Sequence, residues 1–243
     1  MARNPDKHPK AGADRRAKIE ALRQQEKKAE RKRSLILVGS AVVVALALVG
    51  GSIAAVAAQR AKDPRNKSLS SFGVASPAAS CLDPETVTAT GSGDHIGPGT
   101  NHADVTHIDY TYNPPMFGQH WVFPAPFDRK FYTTKDVPMV EQLVHNLEHG
   151  YTVLWYSRDV SAAQKADLEG LSKRIPADRG KEKFIVAPWD TSRGALPEGK
   201  KFVLTHWGQK NGYRLSCGQL SGQVVKSFMN SHPYTDSPEP NAA

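Results

Sequence analysis

The stretch Asp136-Val137-Pro138-Met139-Val140-Glu141-Gln142-Leu143-Val144-His145-Asn146-Leu147-Glu148-His149-Gly150-Tyr151-Thr152-Val153-Leu154-Trp155-Tyr156 changes its hydrophobic period at the glycine. Before Gly150, the residues Val140, Leu143, Val144 and Leu147 recur at helical spacing. After it, a run of β-branched and aromatic residues reads as a strand. Asp136 suits an N-cap, and Pro138 suits a first turn, where its missing N–H costs nothing. Gly150 suits a left-handed C-cap, with His149 at the negative end of the helix dipole. The expectation is a helix over Asp136–His149 that runs straight into a strand and packs its end against a sheet.

The polar side of this helix carries the chemistry. On a wheel of about 100° per residue centred on His145, the apolar stripe lies opposite, while Glu141, Gln142, Glu148 and His149 fall within about 60°. Side chains at i and i+4 share a face, so His145 and His149 can converge on one ion. The order His-x-x-Glu-His is also that of the inverted zinc hydrolase motif. Without an ion, the same pattern describes a solvated face that ends in a dipole-stabilised histidine.

Elsewhere, Thr106–Tyr112, Tyr151–Tyr156, Lys183–Ala187 and Lys201–Thr205 read as strands, and Ser161–Arg174 and Gly222–Asn230 as helices. They mix without a steady βαβ rhythm, which indicates α+β: a single compact domain with a mixed or antiparallel sheet and a few helices. It is expected over residues 81–235, with a disordered C-terminus over 236–243. Before it, residues 60–80 are rich in serine with few bulky apolar groups, and read as a linker.

The N-terminal part is of another kind. Residues 1–33 hold twelve Lys or Arg against five Asp or Glu, a net of +7 out of +8 for the whole chain. The basic excess therefore belongs to the tail, and a nucleic-acid function for the domain lacks the concentrated basic surface it needs. From Leu35 to Ala58 the chain is uncharged and almost wholly apolar. As a helix this run spans about 36 Å, enough to cross a bilayer with some tilt. A single-pass transmembrane helix over 34–59 is expected, with the tail cytoplasmic because the heavier basic load is N-terminal, and the domain extracytoplasmic. A signal-peptidase site at Ala55-Val56-Ala57 is the rival reading, although the run is long for a signal peptide. The tail from Ala11 to Arg33 reads as helical and suits anionic lipid headgroups.

Cys81 and Cys217 are the only cysteines and bracket nearly the whole domain. An isolated pair outside the membrane forms a disulfide, and no Cys-x-x-Cys spacing suggests redox exchange. Thiolate metal ligation is the alternative.

A second histidine-bearing turn is Asn113-Pro114-Pro115-Met116-Phe117-Gly118-Gln119-His120-Trp121. Two prolines and a glycine restrict the backbone, which is how a loop holds His120 in place. Met116 adds a soft thioether suited to Cu(I), unless it is simply tucked into the core. Pro114-Pro115-x-x-Gly118-x-His120, together with Leu143-Val144-His145-Asn146-Leu147-Glu148-His149-Gly150, resembles the bacterial domain-of-unknown-function family 3105. Val186-Ala187-Pro188, Leu204-Thr205-x-Trp207-Gly208 and the segment from Phe228 through Pro238-Glu239 fit the same pattern. The resemblance implies an N-terminal membrane anchor and an exported domain, and places His120, His145 and His149 in one pattern. It implies no activity. The chain departs from the family pattern at Phe117, where a serine is usual.

These readings converge on a transition metal, copper or zinc, bound by His120, His145 and His149, with His107 or Met116 as a fourth ligand. Glu148 or Glu141 would orient an imidazole from behind. Two other classes remain open. One is a zinc hydrolase with Glu148 as general base, disfavoured because no second helix offers an acidic ligand. The other is an interaction module with structural histidines and an unknown protein partner.

Overall fold

The computed structural model describes residues 9–177 and 182–242. The chain divides into two units, residues 1–60 and 61–243. In the first, one continuous helix, α1 (Pro9–Lys62), takes in both the basic tail from Pro9 onward and the apolar run. It is long and apolar enough to cross a membrane.

The second unit is α+β. Its main sheet contains β1 (Glu85–Thr88), β4 (Thr152–Tyr156), β5 (Phe184–Pro188), β6 (Phe202–Trp207) and β7 (Asn211–Cys217), in the order β1-β7-β6-β4-β5. All neighbours are antiparallel except β4 and β5, which are parallel and joined through the helix α3 (Ala162–Ala177). The sheet is therefore mixed. A separate ribbon pairs β2 (His95–Ile96) with β3 (His120–Trp121) in parallel, His95 opposite His120. The remaining helices are α2 (Val140–Glu148) and α4 (Gly222–Ser231).

Alternation along the central strands sorts the side chains onto two faces. Leu154, Tyr156, Phe184, Val186, Phe202 and Leu204 form one core with Leu168 and Leu171 of α3 and Val225 and Phe228 of α4. Val153, Trp155, Ile185, Ala187 and Val203 form the other with Leu143, Val144 and Leu147 of α2. The apolar stripe of α2 thus faces the sheet, and its opposite face is turned away from it.

Several expectations are corrected. The helix begins at Val140, with Met139 as N-cap. Asp136 instead closes its own turn, accepting from the N–H and Oγ1 of Thr133 at 2.7 and 2.8 Å and pairing with Arg129. Thr106–Tyr112 is irregular rather than a strand, because Ile108 N–H donates to the Glu141 carboxylate at 2.9 Å instead of to a neighbouring strand. The stretch read as a linker, 60–80, packs onto the domain through Lys67, Phe72 and Val74. Phe72 is buried in the core against Gly170, Arg174 Nε donates to Lys67 O at 2.7 Å, and Val74 N–H donates to Leu220 O at 2.8 Å. The C-terminal segment is likewise tied down to residue 242: Ser237 is buried, Glu239 N–H donates to Glu148 O at 3.1 Å, and Lys183 Nζ donates to the carbonyls of Pro240 and Ala242. Cys81 and Cys217 form a disulfide, S–S 2.04 Å.

Candidate metal centre

Each residue of the helix-ending motif has a separate task. Leu147 enters the core. Asn146, fully buried, accepts from Ala125 N–H at 3.0 Å and donates to Ala125 O at 3.1 Å, tying the 122–127 segment to α2. Gly150 has φ +90°, and a Cβ there would come within 2.5 Å of Tyr234 O, so both conformation and space demand glycine. His145, Glu148 and His149 lie on the face away from the sheet. That face is not solvated: the β2–β3 ribbon covers it, and all three side chains are buried.

There the ribbon and the helix bring together His95, His120, His145 and Glu148, with ligand atoms that all lie within 4.8 Å of one another. The three ring centres form a nearly equilateral triangle with sides of 4.7, 4.8 and 5.0 Å. Three imidazoles bound to one ion through nitrogens at about 2.1 Å would place their ring centres about 5 Å apart at near-tetrahedral angles. The donor atoms would then lie about 3.3 Å apart, so the widest pair must close by about 1.5 Å.

The surroundings fix which atoms face inward. His120 Nδ1 lies 2.8 Å from Gly118 O, and His145 Nδ1 lies 2.6 Å from Trp121 O. A carbonyl can only accept, so each Nδ1 carries its ring's proton and donates. This is how metal-binding histidines are commonly held from behind, and it leaves the Nε2 lone pair facing the cluster. Gly118, at φ +130°, turns the carbonyl that His120 uses, and Trp207 packs edge-on against the His120 ring at 5.7 Å. Glu148 Oε1 accepts from Ser92 Oγ at 2.8 Å and Gly93 N–H at 2.6 Å, which aims Oε2 at the cluster.

Oε2 then faces His120 Nε2 at 2.9 Å, with both side chains fully buried. The two atoms do not align as donor and acceptor, and neither has a hydrogen-bond partner. Burial pushes the Glu148 carboxyl upward, while the donors Ser92 Oγ and Gly93 N–H favour the carboxylate. Burial pushes His145 down to about 4, against the raising effect of the Trp121 carbonyl and with help from His120, His149 and His95. At neutral pH the centre therefore holds a carboxylate and a neutral His145, donors ready for a cation.

The other expected site residues are distributed differently. His149 adjoins the cluster: its Nε2 lies 3.0 Å from His145 Nε2 and 3.4 Å from Glu239 Oε2. His107 and Glu141 meet each other and Arg193 instead, with Arg193 Nη2 2.5 Å from Glu141 Oε1 and His107 Nε2 2.9 Å from Asp109. Met116 is fully buried, packed over Gly212 of β7, with Phe117 alongside it and against Trp207. Glu148, expected behind a ligand, stands within the cluster itself. His95, Ser92 and Gly93 stand in no motif of the sequence. A two-residue strand has no period to read, and its pairing with β3 is non-local.

A family model described as "protein of unknown function (DUF3105)" matches residues 102–243, more than half of the chain. The 91–95 turn, which supplies His95 and the donors to Glu148, lies outside the match. No curated protein and no solved structure matches the chain. The chain belongs to the DUF3105 family.

Proposed function

We propose that this family member is a membrane-anchored extracytoplasmic domain that holds one zinc or copper(II) ion through His95, His120, His145 and Glu148. The observation that carries this reading is the orphan pair, His120 Nε2 and Glu148 Oε2, two buried acceptors 2.9 Å apart with no donor for either. Unpaired buried polar atoms are costly, and a cation between them answers both at once. Three imidazoles and a carboxylate form a donor set of intermediate softness, which suits zinc or copper(II). Four protein ligands complete a tetrahedral shell, the pattern of ions that are held rather than of ions that activate water. Glu148 has one oxygen in the cluster and the other bound to the 92–93 turn, so it is not placed as the general base of a hydrolase.

The anchor and its orientation rest on the apolar length of α1, the basic residues before it and the disulfide, which belongs to an oxidising compartment. Each basic tail residue near an anionic leaflet would add about 1 kcal/mol of attraction. The test is elemental analysis of the full chain purified in detergent without a histidine tag. About one equivalent of zinc or copper is expected in the wild type, and none in His145→Ala. A folded wild type that takes up neither ion on challenge overturns the reading.

A further inference from the structure

We propose a second, outer metal position made by His145, His149 and Glu239, which shares His145 with the inner cluster and through which the ion enters and leaves. The entry role rests on the inner reading; the outer position itself does not. Two of its donor spacings suit a chelate, the first of them a hydrogen bond between the two rings that an ion would replace. His145 Nε2 to His149 Nε2 is 3.0 Å and His149 Nε2 to Glu239 Oε2 is 3.4 Å, on either side of the roughly 3.3 Å between donors on a tetrahedral ion.

Access runs the right way. The side chains of His120 and Glu148 are fully buried, that of His149 is 9% exposed, and that of Glu239 is 48% exposed. His95 is 30% exposed, so the inner cluster has a solvent-facing edge of its own; an ion arriving over the C-terminal segment meets Glu239 and His149 before His120 and Glu148. The outer group is also held in place. Glu239 N–H donates to the carbonyl of Glu148, so the outer carboxylate is tied to the residue that bears the inner one. Lys183 Nζ gathers His149 O, Pro240 O and Ala242 O, at 2.7, 3.2 and 2.6 Å, which clamps the end of α2 to the C-terminal segment. The Phe127 ring lies nearly parallel to that of His149 at 6.2 Å.

His145 has a single inward lone pair, because its Nδ1 proton is committed to Trp121 O. It can serve only one ion at a time, so the two positions alternate and stoichiometry stays at one. Passage inward keeps His145 bound while His149 and Glu239 are exchanged for His95, His120 and Glu148. The ion is never fully released during transfer.

Stopped-flow uptake of cobalt(II) by the full chain in detergent, followed by visible absorption, tests this, with near-UV circular dichroism as the check on folding. His149→Ala and Glu239→Gln are expected to reach wild-type stoichiometry but to load, and to release to chelator, about 10-fold or more slowly. Glu239→Asp, which keeps the carboxylate, should recover most of the rate. His95→Ala combined with Glu148→Gln removes two inner ligands; that variant should still bind one weaker equivalent, lost on adding Glu239→Gln. Wild-type loading rates in both outer variants, or no binding in the inner-deficient variant while wild type binds, overturn the outer position and leave the inner one standing. Loss of all binding in the outer variants, with the inner-deficient variant unaffected, overturns the inner reading and keeps the outer chelate. No cobalt in folded wild type overturns both.

Discussion

Glu148→Gln separates two accounts of the buried pair at the heart of the centre. In the metal-free chain, Glu148 Oε2 and His120 Nε2 face each other at 2.9 Å as two acceptors. A carboxamide nitrogen placed at the Oε2 position would donate to the ring nitrogen, while the amide oxygen kept the bonds from Ser92 and Gly93. The gain is one buried hydrogen bond and relief of an orphan acceptor, about 1–3 kcal/mol; the loss is charge assistance on two bonds, about 1 kcal/mol each. Metal-free stability should therefore stay within about 1 kcal/mol of the parent, or about 2–4 °C in Tm for a domain of this size. Were His120 instead an imidazolium paired with the carboxylate, the substitution would strand a buried charge at a cost of about 3–5 kcal/mol. Tm would then fall by roughly 6–20 °C.

Zinc supplies the second half of the test. At 1,000 times its Kd, a bound ion stabilises the parent by about 4 kcal/mol, or roughly 8–16 °C. The variant, lacking the anionic ligand, should gain little. Calorimetry of the full chain in detergent, with chelator and then with zinc, reads both quantities. A Tm drop beyond roughly 6 °C in chelator, or equal zinc shifts in the two proteins, would refute the argument.

Three further outcomes are expected. Burial holds His145 at about 4 and His206 at about 3, below the usual histidine range, so the unfolded chain takes up protons first as pH falls. Stability should be level above pH ~6.5 and decline below it, by about 2 kcal/mol per histidine at pH ~5; equal metal-free melts at pH ~7.5 and ~5 would contradict this. Arg193→Met should cost about 3–5 kcal/mol by stranding the buried Glu141 carboxylate, with much of it recovered in Glu141→Gln/Arg193→Met; an additive double variant in denaturant titration argues against that pair. Phe72→Ala should cost about 3–5 kcal/mol, and a surface-like loss below about 0.5 kcal/mol would mean that 61–80 is the tether its composition suggests.

What could be read from sequence follows from where periodicity is strong. β4, β5 and β6 are buried on both faces and appear as short β-branched and aromatic runs, and the apolar stripes of α2, α3 and α4 mark those helices. β7 escaped notice because Gly212 and Arg214 interrupt it; Arg214 is there to pair with Glu85 across the edge strand β1. The burial of 61–80 was hidden for a different reason. A serine-rich stretch with one fully buried apolar anchor, Phe72, and Leu69 packed beside it has a linker's composition, and only the space left by Gly170 on α3 shows where Phe72 goes. At the centre, His120, His145, Glu148 and His149 were legible as motif residues, but their division of labour was not, since it depends on His95 and on a ribbon with no local signal.

That division follows from the helix itself once the ribbon is in place. About 100° per residue sets Glu148 roughly 60° to one side of His145 and His149 roughly 40° to the other. The His-x-x-Glu-His spacing therefore presents three donors across an arc of about 100°, with His145 in the middle. β2 and β3 lie over the Glu148 side, burying Glu148 and His120 while His95 keeps an exposed edge; the C-terminal segment with the half-exposed Glu239 lies over the His149 side. The same spacing serves a hydrolase when both histidines bind one ion and the glutamate stays beside it. Here the carbonyl of Trp121 and the donors of the 92–93 turn hold His145 and Glu148 on one side, while His149 is held by Lys183 and Phe127 on the other. Which half of that arc the ribbon covers sets the surroundings of each donor, and His145, between the two halves, is the residue that the two proposed positions share.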